Sequence, residues 1–401
     1  MKKQLFVIGV GPGSSEYITA IGQSRIIGCD EVYSAKRLTY MLSSIRSDIK
    51  ERSISAMIKS IRLSKAQVIG VLVSGDTGFF SMCNLLIKEL QDDCEIEVIC
   101  GISSLQFLCA RLHLSYENIK IVSLHGRNNN ILGAVSYNER VFVLTGGENK
   151  AHHICENLSS NGLGHVNVIA GENLSMPIER ILKGTAKKMS LETFDDLTVL
   201  LIENEEFTDA QIPLKDSDFT RGNIPMTKEE IRDITVSKLA ITSNDIIYDV
   251  GAGTGSVSIQ MARKAKDGLV YAIEQKSEGI DLIKKNKKKL GSYNLIPIHG
   301  KAPEALEGLP APNKVFIGGS AGEIESIIGC VLKKNPKVKI VMNAITLETL
   351  HQIMSSLSHF GIDYEAICVN ISVSEAIGSY HMMKANNPVY IISSKEETPD
   401  E

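Results

Sequence analysis

The sequence predicts an α/β protein of two domains with largely parallel sheets, and three observations predict it. Short apolar, strand-like runs alternate with helix-length segments along most of the 401 residues. That length exceeds one ordinary domain. Between Asn204 and Gly222 the alternation stops: acidic residues crowd together, Pro213 interrupts, and no apolar periodicity persists. The expected division is a first domain over residues 1–205, a linker over 206–221 and a second domain over 222–401.

In the first domain the apolar runs Leu5–Val10, Val68–Ser74, Glu95–Ile99, Ile119–Ser123, Val141–Leu144, Val166–Ala170 and Thr198–Glu203 are the expected strands. Met1-Lys2-Lys3 ahead of the first run resembles the start of a signal peptide, but the run is short. It ends in Gly11-Pro12-Gly13, which suits a strand entering a turn. In the second domain Pro225 precedes Thr227, and Thr227 with Glu230 makes a T-x-x-E capping box ahead of Ile231 and Ile234. Strands are then expected at Ile246–Val250, Leu269–Ile273, Leu295–His299, Val315–Ile317, Val338–Met342, Ala366–Ile371 and Val389–Ile392. No long helix separates the last two, which suggests an antiparallel edge.

Composition narrows the function classes. Hydrophobic residues at 43% and charged residues at 22% are the balance of a soluble globular protein with buried cores. A formal net charge of -4 gives no electrostatic reason to expect nucleic acid. The basic run Lys284–Lys289 reads as the solvated face of a helix. The eight cysteines stand apart without the two-residue gap of a zinc or redox motif, so reduced thiols in a cytoplasm and no metal site are expected. No apolar run is long enough to span a membrane.

Asp249-Val250-Gly251-Ala252-Gly253-Thr254-Gly255 follows a strand and opens a helix. Glycines there let the backbone approach a ligand, and the helix N-terminus offers free N–H groups. Alone, such a loop serves NAD, FAD or S-adenosylmethionine. The G-x-G-x-G spacing, tighter than the dinucleotide fingerprint, favours the last. Glu274 ends the next strand, either as acceptor for two ribose hydroxyls or as a solvated strand-end acid. With Gly222–Glu230, Gly300-Lys301-Ala302-Pro303-Glu304, Phe316-Ile317-Gly318-Gly319-Ser320, Asn343–Glu348 and Asn387-Pro388-Val389-Tyr390, this half resembles the class I methyltransferases. Within them it is similar to the decarboxylating precorrin carbon-15 methyltransferases over about 222–394. The resemblance implies a Rossmann-like fold with the donor held by Thr227, Gly251, Ala252, Gly253, Thr254, Gly255, Glu274 and Ala302. Thr227 also reads as a plain helix cap. Gly318, Gly319 and Ser320 leave an open floor on which a flat macrocycle can lie, where a flipped base would lack its usual grip.

In the first half Val7–Gly13 again places glycines, Gly11 among them, at a strand end, which alone is weak evidence. Four more segments lie just past strands: Ser74–Ser81, Gly101–Ser104, Leu124–Arg127 and Glu172–Ser175. Together they resemble the tetrapyrrole methylase family, specifically its precorrin carbon-5 methyltransferases, over about residues 4–203. The resemblance implies two α/β subdomains with S-adenosylmethionine folded between them. It places Gly11, Gly75, Asp76, Gly78, Phe79, Ser103, Ser104, Leu124, His125 and Gly126 beside that donor. Thr77 stands where the family usually has proline, which leaves the loop less fixed. Asp76 also reads as an Asx cap and His125 as a structural histidine. Arg127 either grips a substrate carboxylate or anchors its loop.

The two halves in this order resemble the fused precorrin C(5,15)-methyltransferases (decarboxylating) of cobalamin synthesis. The resemblance implies one S-adenosylmethionine per domain, methylation of carbons 5 and 15 of a precorrin or cobalt-precorrin, and loss of the ring C acetate carboxyl. A tetrapyrrole partner, no nucleic acid, no membrane and a homo-oligomer are expected, and no side chain is singled out as catalytic. The rival readings are an RNA or protein methyltransferase with a fused binding domain, a methyltransferase fused to a non-catalytic corrinoid-binding domain, and an NAD-dependent dehydrogenase.

Overall fold

The computed structural model describes residues 2–124 and 130–395. They form two compact units, one of residues 2–124, 140–157 and 166–203, the other of 130–139, 158–165 and 204–395.

The first unit contains two five-stranded sheets. One holds β1 (Lys3–Gly9), β2 (Glu31–Ser34), β3 (Lys50–Glu51), β4 (Val68–Val73) and β5 (Cys94–Ile99), in the order β3-β2-β4-β1-β5. All its pairings are parallel. Leu5 and Val7 of β1 enter one buried cluster with Met57, Ile61, Leu86 and Leu90, while Phe6 and Ile8 enter another with Ile26 and Leu38. Successive side chains of a strand point to opposite faces, and here both faces are covered by helices. The strand therefore reads as an unbroken apolar run.

The other sheet holds β6 (Lys120–Ser123), β7 (Arg140–Leu144), β8 (Asn167–Glu172), β9 (Arg180–Thr185) and β10 (Thr198–Glu203), in the order β6-β7-β10-β8-β9. Only β6 and β7 run parallel; β10 lies antiparallel to both β7 and β8, and β8 to β9. This departs from the expected parallel sheet. Consecutive strands β8 and β9 are joined by a short connection, which allows only antiparallel pairing.

The second unit is built on a seven-stranded sheet. Its strands are β11 (Ile246–Val250), β12 (Leu269–Glu274), β13 (Leu295–His299), β14 (Lys314–Ile317), β15 (Lys339–Ala344), β16 (Tyr364–Val369) and, after a two-stranded hairpin of β17 (Ser372–Ile377) and β18 (Tyr380–Ala385), β19 (Val389–Ser394). The order is β13-β12-β11-β14-β15-β19-β16. The first five strands are parallel, and β19 is antiparallel to β15 and β16, as the missing crossover helix predicts. Every residue of the hairpin is exposed.

Three local expectations need adjustment. The helix Glu229–Lys238 is capped by Lys228 with no side-chain hydrogen bond, so the Thr227–Glu230 capping box does not form. The helix starts one residue later than that box requires, leaving Thr227 outside the cap position. In the lysine run, Lys284, Lys285, Lys288 and Lys289 are exposed, but Lys287 is buried with its Nζ 5.9 Å from the Tyr293 ring centre. Within 206–221, Leu214 and Phe219 are buried in the core of the second unit.

Candidate functional site

Each unit carries a large cleft where its strands end. In the second unit a cleft of about 640 Å³ opens over the carboxyl ends of β11, β14 and β15, the edge at which α/β sheets gather ligands. The glycine loop forms one wall. Gly251 and Ala252 both donate their N–H to the Ile273 carbonyl, each at 3.0 Å, which pins the turn to the end of β12. Gly251 has φ +76° and Gly253 φ +57°, the left-handed region that glycine enters without penalty. Opposite, Gly318 and Gly319 donate to the Val250 carbonyl at 2.9 and 3.2 Å, so the floor and the loop are hung from one strand end.

Thr227, Gly251, Ala252, Gly253, Thr254, Gly318, Gly319 and Ser320 all line this cleft. Glu274 and Ala302 line an adjoining recess of about 290 Å³ that shares Pro225, Gly251, Gly253 and Gly318–Ala321 with it. Gly255 does not line either cleft; it caps the helix Ser256–Lys264 at φ +77°. The Glu274 carboxylate is buried and accepts from the Gly253 N–H at 2.9 Å and from the Lys276 N–H at 2.8 Å. Each oxygen keeps a second lone pair for a ligand hydroxyl.

Two polar atoms at the loop, Asp249 Oδ1 and Thr254 Oγ1, have no hydrogen-bond partner among the described residues. Both residues line the cleft, at 0% and 1% exposure. The other Asp249 oxygen takes the Ser258 hydroxyl. Burial pushes the Asp249 carboxyl up to about 7, with the Ser258 hydrogen bond opposing and Glu274 adding to the rise. Buried acceptors without donors are rare, and these two fit the polar groups of a ligand.

In the first unit a cleft of about 690 Å³ is lined by strand residues of the second sheet and by segments that follow strands of the first, including Gly75, Phe79 and Ser104. Gly11 and Gly75 face each other as an isolated bridge, Gly75 N–H to the Gly11 carbonyl at 2.8 Å and the reverse at 3.2 Å. Gly11, Asp76, Gly78, Ser103 and Leu124 are not among the residues that line the cleft. Asp76 Oδ2 accepts from Gly78 N–H at 2.9 Å and Oδ1 from Gly101 N–H at 3.0 Å, tying the β4 and β5 turns together. Ser103 forms a reciprocal capping box with Gln106 on the helix Ser104–Leu112. Leu124 is buried and donates its N–H to the Leu144 carbonyl at 2.9 Å. His125, Gly126 and Arg127 lie outside the described residues.

The structure places on the clefts further residues to which the sequence reading gave no site role, several of them inside its own motifs. Asp249, Phe316, Asn343 and Thr346 line the second cleft, and Ser123, Thr145, Asn173 and Thr198 the first. Asp249, Asn343 and Asn173 stand at or just past strand ends, a signal that was available. Thr198 begins β10, but that strand runs antiparallel, so its start reaches the edge where β7 and β8 end. A rule that searches only the carboxyl ends of strands passes over it.

Among the described residues no helix is long and apolar enough to cross a membrane, and no group of three or more His, Cys, Asp or Glu could hold a metal ion. Residues 218–396 match the model of the precorrin methyltransferase domain, and residues 4–190 that of the tetrapyrrole (corrin/porphyrin) methylases. A probable cobalt-precorrin-6B C(15)-methyltransferase (decarboxylating) of Pyrobaculum calidifontis is 38% identical over 173 residues, 43% of this chain and 89% of that protein. A precorrin-6Y C(5,15)-methyltransferase (decarboxylating) of a Sinorhizobium species is 26% identical over 393 residues, 96% of this chain and 94% of that protein. The crystal structure of a precorrin-6Y C5,15-methyltransferase from Geobacter metallireducens GS-15 is 36% identical, with a TM-score of 0.44 over 46% of this chain and 97% of that one.

Proposed function

This chain belongs to the precorrin methyltransferase family, and from that premise we propose that it methylates carbons 5 and 15 of a precorrin or cobalt-precorrin and releases the ring C acetate carboxyl as carbon dioxide, in cobalamin synthesis. One observation carries the reading: each unit has its own glycine-walled cleft where its strands end. We assign one S-adenosylmethionine to each. Residues 1–205 would serve carbon 5, and residues 222–401 carbon 15 and the decarboxylation, a reading supported by the precorrin methyltransferase domain match over 218–396 and the tetrapyrrole methylase match over 4–190. The relative named for both positions runs nearly the whole length. Eight free cysteines suit a reducing, cytoplasmic setting.

The residues of the second cleft fit the donor. The side-chain-free turn at Gly251 and Gly253 gives the close approach, and the orphaned Asp249 Oδ1 and Thr254 Oγ1 await polar groups. Asp249 would accept from the donor's ammonium and Glu274 from its ribose hydroxyls, while Thr227 and Ala302 close the walls. The donor, when bound, supplies an already activated methyl group. The chain's own task is then to position the ring carbon in line and to exclude water. Well-oriented approach supplies up to ~7–11 kcal/mol. Gly318, Gly319 and Ser320 give the macrocycle a floor without side-chain obstruction.

The test supplies wild type, Gly253→Arg and Gly75→Arg with S-adenosylmethionine and the precorrin-6 stage intermediate. Wild type should add two methyl groups and lose one carboxyl. Gly253→Arg should lose the decarboxylation and one methylation, and Gly75→Arg only the other methylation. A folded variant that loses both activities would overturn the division of labour.

A further inference from the structure

Outside its glycine turns, the first cleft holds a cation without a counter-ion among the described residues. Lys150 and Arg37 both line it. Lys150 has an acid, Asp196, whose Oδ1 lies 3.3 Å from its Nζ. Arg37 has none among the described residues. Its Nη2 donates to Ser74 Oγ at 2.7 Å, and that neutral hydroxyl is its one described partner. Burial, with no facing acid to oppose it, lowers the Arg37 pKa. Withdrawing a guanidinium from water costs more than one neutral hydrogen bond returns, so an uncompensated cation lining a cleft suits an anion that arrives as ligand.

Placement sharpens this. Arg37 lies on the short helix Lys36–Met41, just past the end of β2, and Ser74 follows β4 directly before Gly75. The hydroxyl therefore holds the guanidinium next to the turn that walls the cleft. With Nη2 engaged by Ser74, Nε and Nη1 keep their donors for an incoming oxyanion. A planar guanidinium presents a fork of donors that matches a carboxylate in two parallel hydrogen bonds.

We infer that Arg37, held by Ser74, is a carboxylate-binding subsite of the first cleft. The inference rests on the reading of that cleft as a methyltransferase site. The carboxylate belongs either to a side chain of the macrocycle or to the amino-acid end of the methyl donor, and the two sources separate in one experiment.

The full-length wild type, Arg37→Gln and Arg37→Lys are titrated with S-adenosylhomocysteine by calorimetry and assayed for methylation at carbon 5, with carbon 15 as the internal control. Loss of a charge-assisted bond predicts an effect of about tenfold or more in Arg37→Gln. If the macrocycle's carboxylate is bound, KM for the carbon-5 step rises by that factor while homocysteine-adduct affinity at both sites stays put. If the donor's carboxylate is bound, affinity at one of two sites falls by that factor. Arg37→Lys should be intermediate, since it keeps the charge and loses the planar fork. It carries the comparison should the glutamine variant not fold. A folded variant with wild-type affinity and wild-type KM overturns the subsite. A wild-type chain that binds one equivalent only and leaves carbon 5 unmethylated overturns the reading of the cleft itself.

Discussion

A β-carbon built on Gly251 would stand 2.5 Å from the carbonyl oxygen of Gly319. Loop and floor of the second cleft thus meet backbone to backbone, and both the space and the +76° φ at Gly251 require glycine. Gly251→Ala should cost about 2–4 kcal/mol, from left-handed strain plus overpacking. Urea denaturation checks the cost. A loss under about 0.5 kcal/mol would mean that the turn yields freely.

If Asp249 takes the donor's ammonium as proposed, donor binding should be pH-dependent. Its carboxyl is held up to about 7 by burial, and an ammonium beside it favours the ionised form. Affinity for S-adenosylhomocysteine at the second site should rise about tenfold from pH ~6 to pH ~8. Asp249→Asn should flatten that profile, which calorimetry across pH would read. The stability of the protein should follow the opposite slope. The folded state holds this proton more tightly than the unfolded chain, so the stability it confers is complete below the ordinary 3.8 and is lost as pH rises through about 7.

Ser103 is engaged as a helix cap, with its hydroxyl accepting the Gln106 N–H at 3.2 Å. Ser103→Ala should lower stability by about 1 kcal/mol. Donor affinity at the first site should stay within about twofold if the cap is its main work. A large affinity loss at unchanged stability would place the hydroxyl on the ligand instead.

Arg232 is completely buried. Its guanidinium donates to Gln260 Oε1 at 2.6 Å, to Asp216 Oδ1 at 3.2 Å and to the carbonyls of Leu214 and Thr227 at 2.7 and 3.2 Å, and it covers the Phe219 ring at 4.9 Å. Arg232→Met removes one partner from a hydrogen-bonded network and should cost about 3 kcal/mol or more. Because Thr227 lines the second cleft, donor affinity there should fall as well. Thermal unfolding and calorimetry on one variant test both.

Much of this was legible in the sequence where local pattern and tertiary role agree. The strands Thr198–Glu203, Ile246–Val250 and Leu295–His299 coincide with the apolar runs residue for residue, and the glycine loop at Gly251 announces itself by spacing. β3 has two residues and the exposed β17–β18 hairpin buries neither face, so neither produces the apolar signal on which such reading depends. β2 and β9 are also missed; their charged and polar positions interrupt the pattern. Asp76 illustrates a subtler gap. Its place in the motif suggested the ligand, and the structure adds a bracing role, one oxygen accepting from the amide of Gly78 and the other from that of Gly101. Gly101 lies 25 residues away, a pairing that no local pattern contains.

Glu274 accepts hydrogen bonds from the amides of Gly253 and Lys276. The acid proposed to read the sugar is therefore also the brace that keeps the turn in shape. Removing its carboxylate would blur recognition and rigidity into a single loss, whereas deoxy-ribose analogues of the donor would separate them. Such analogues forfeit only their own contacts, and what affinity they retain measures how much of the grip was prepaid by the fold.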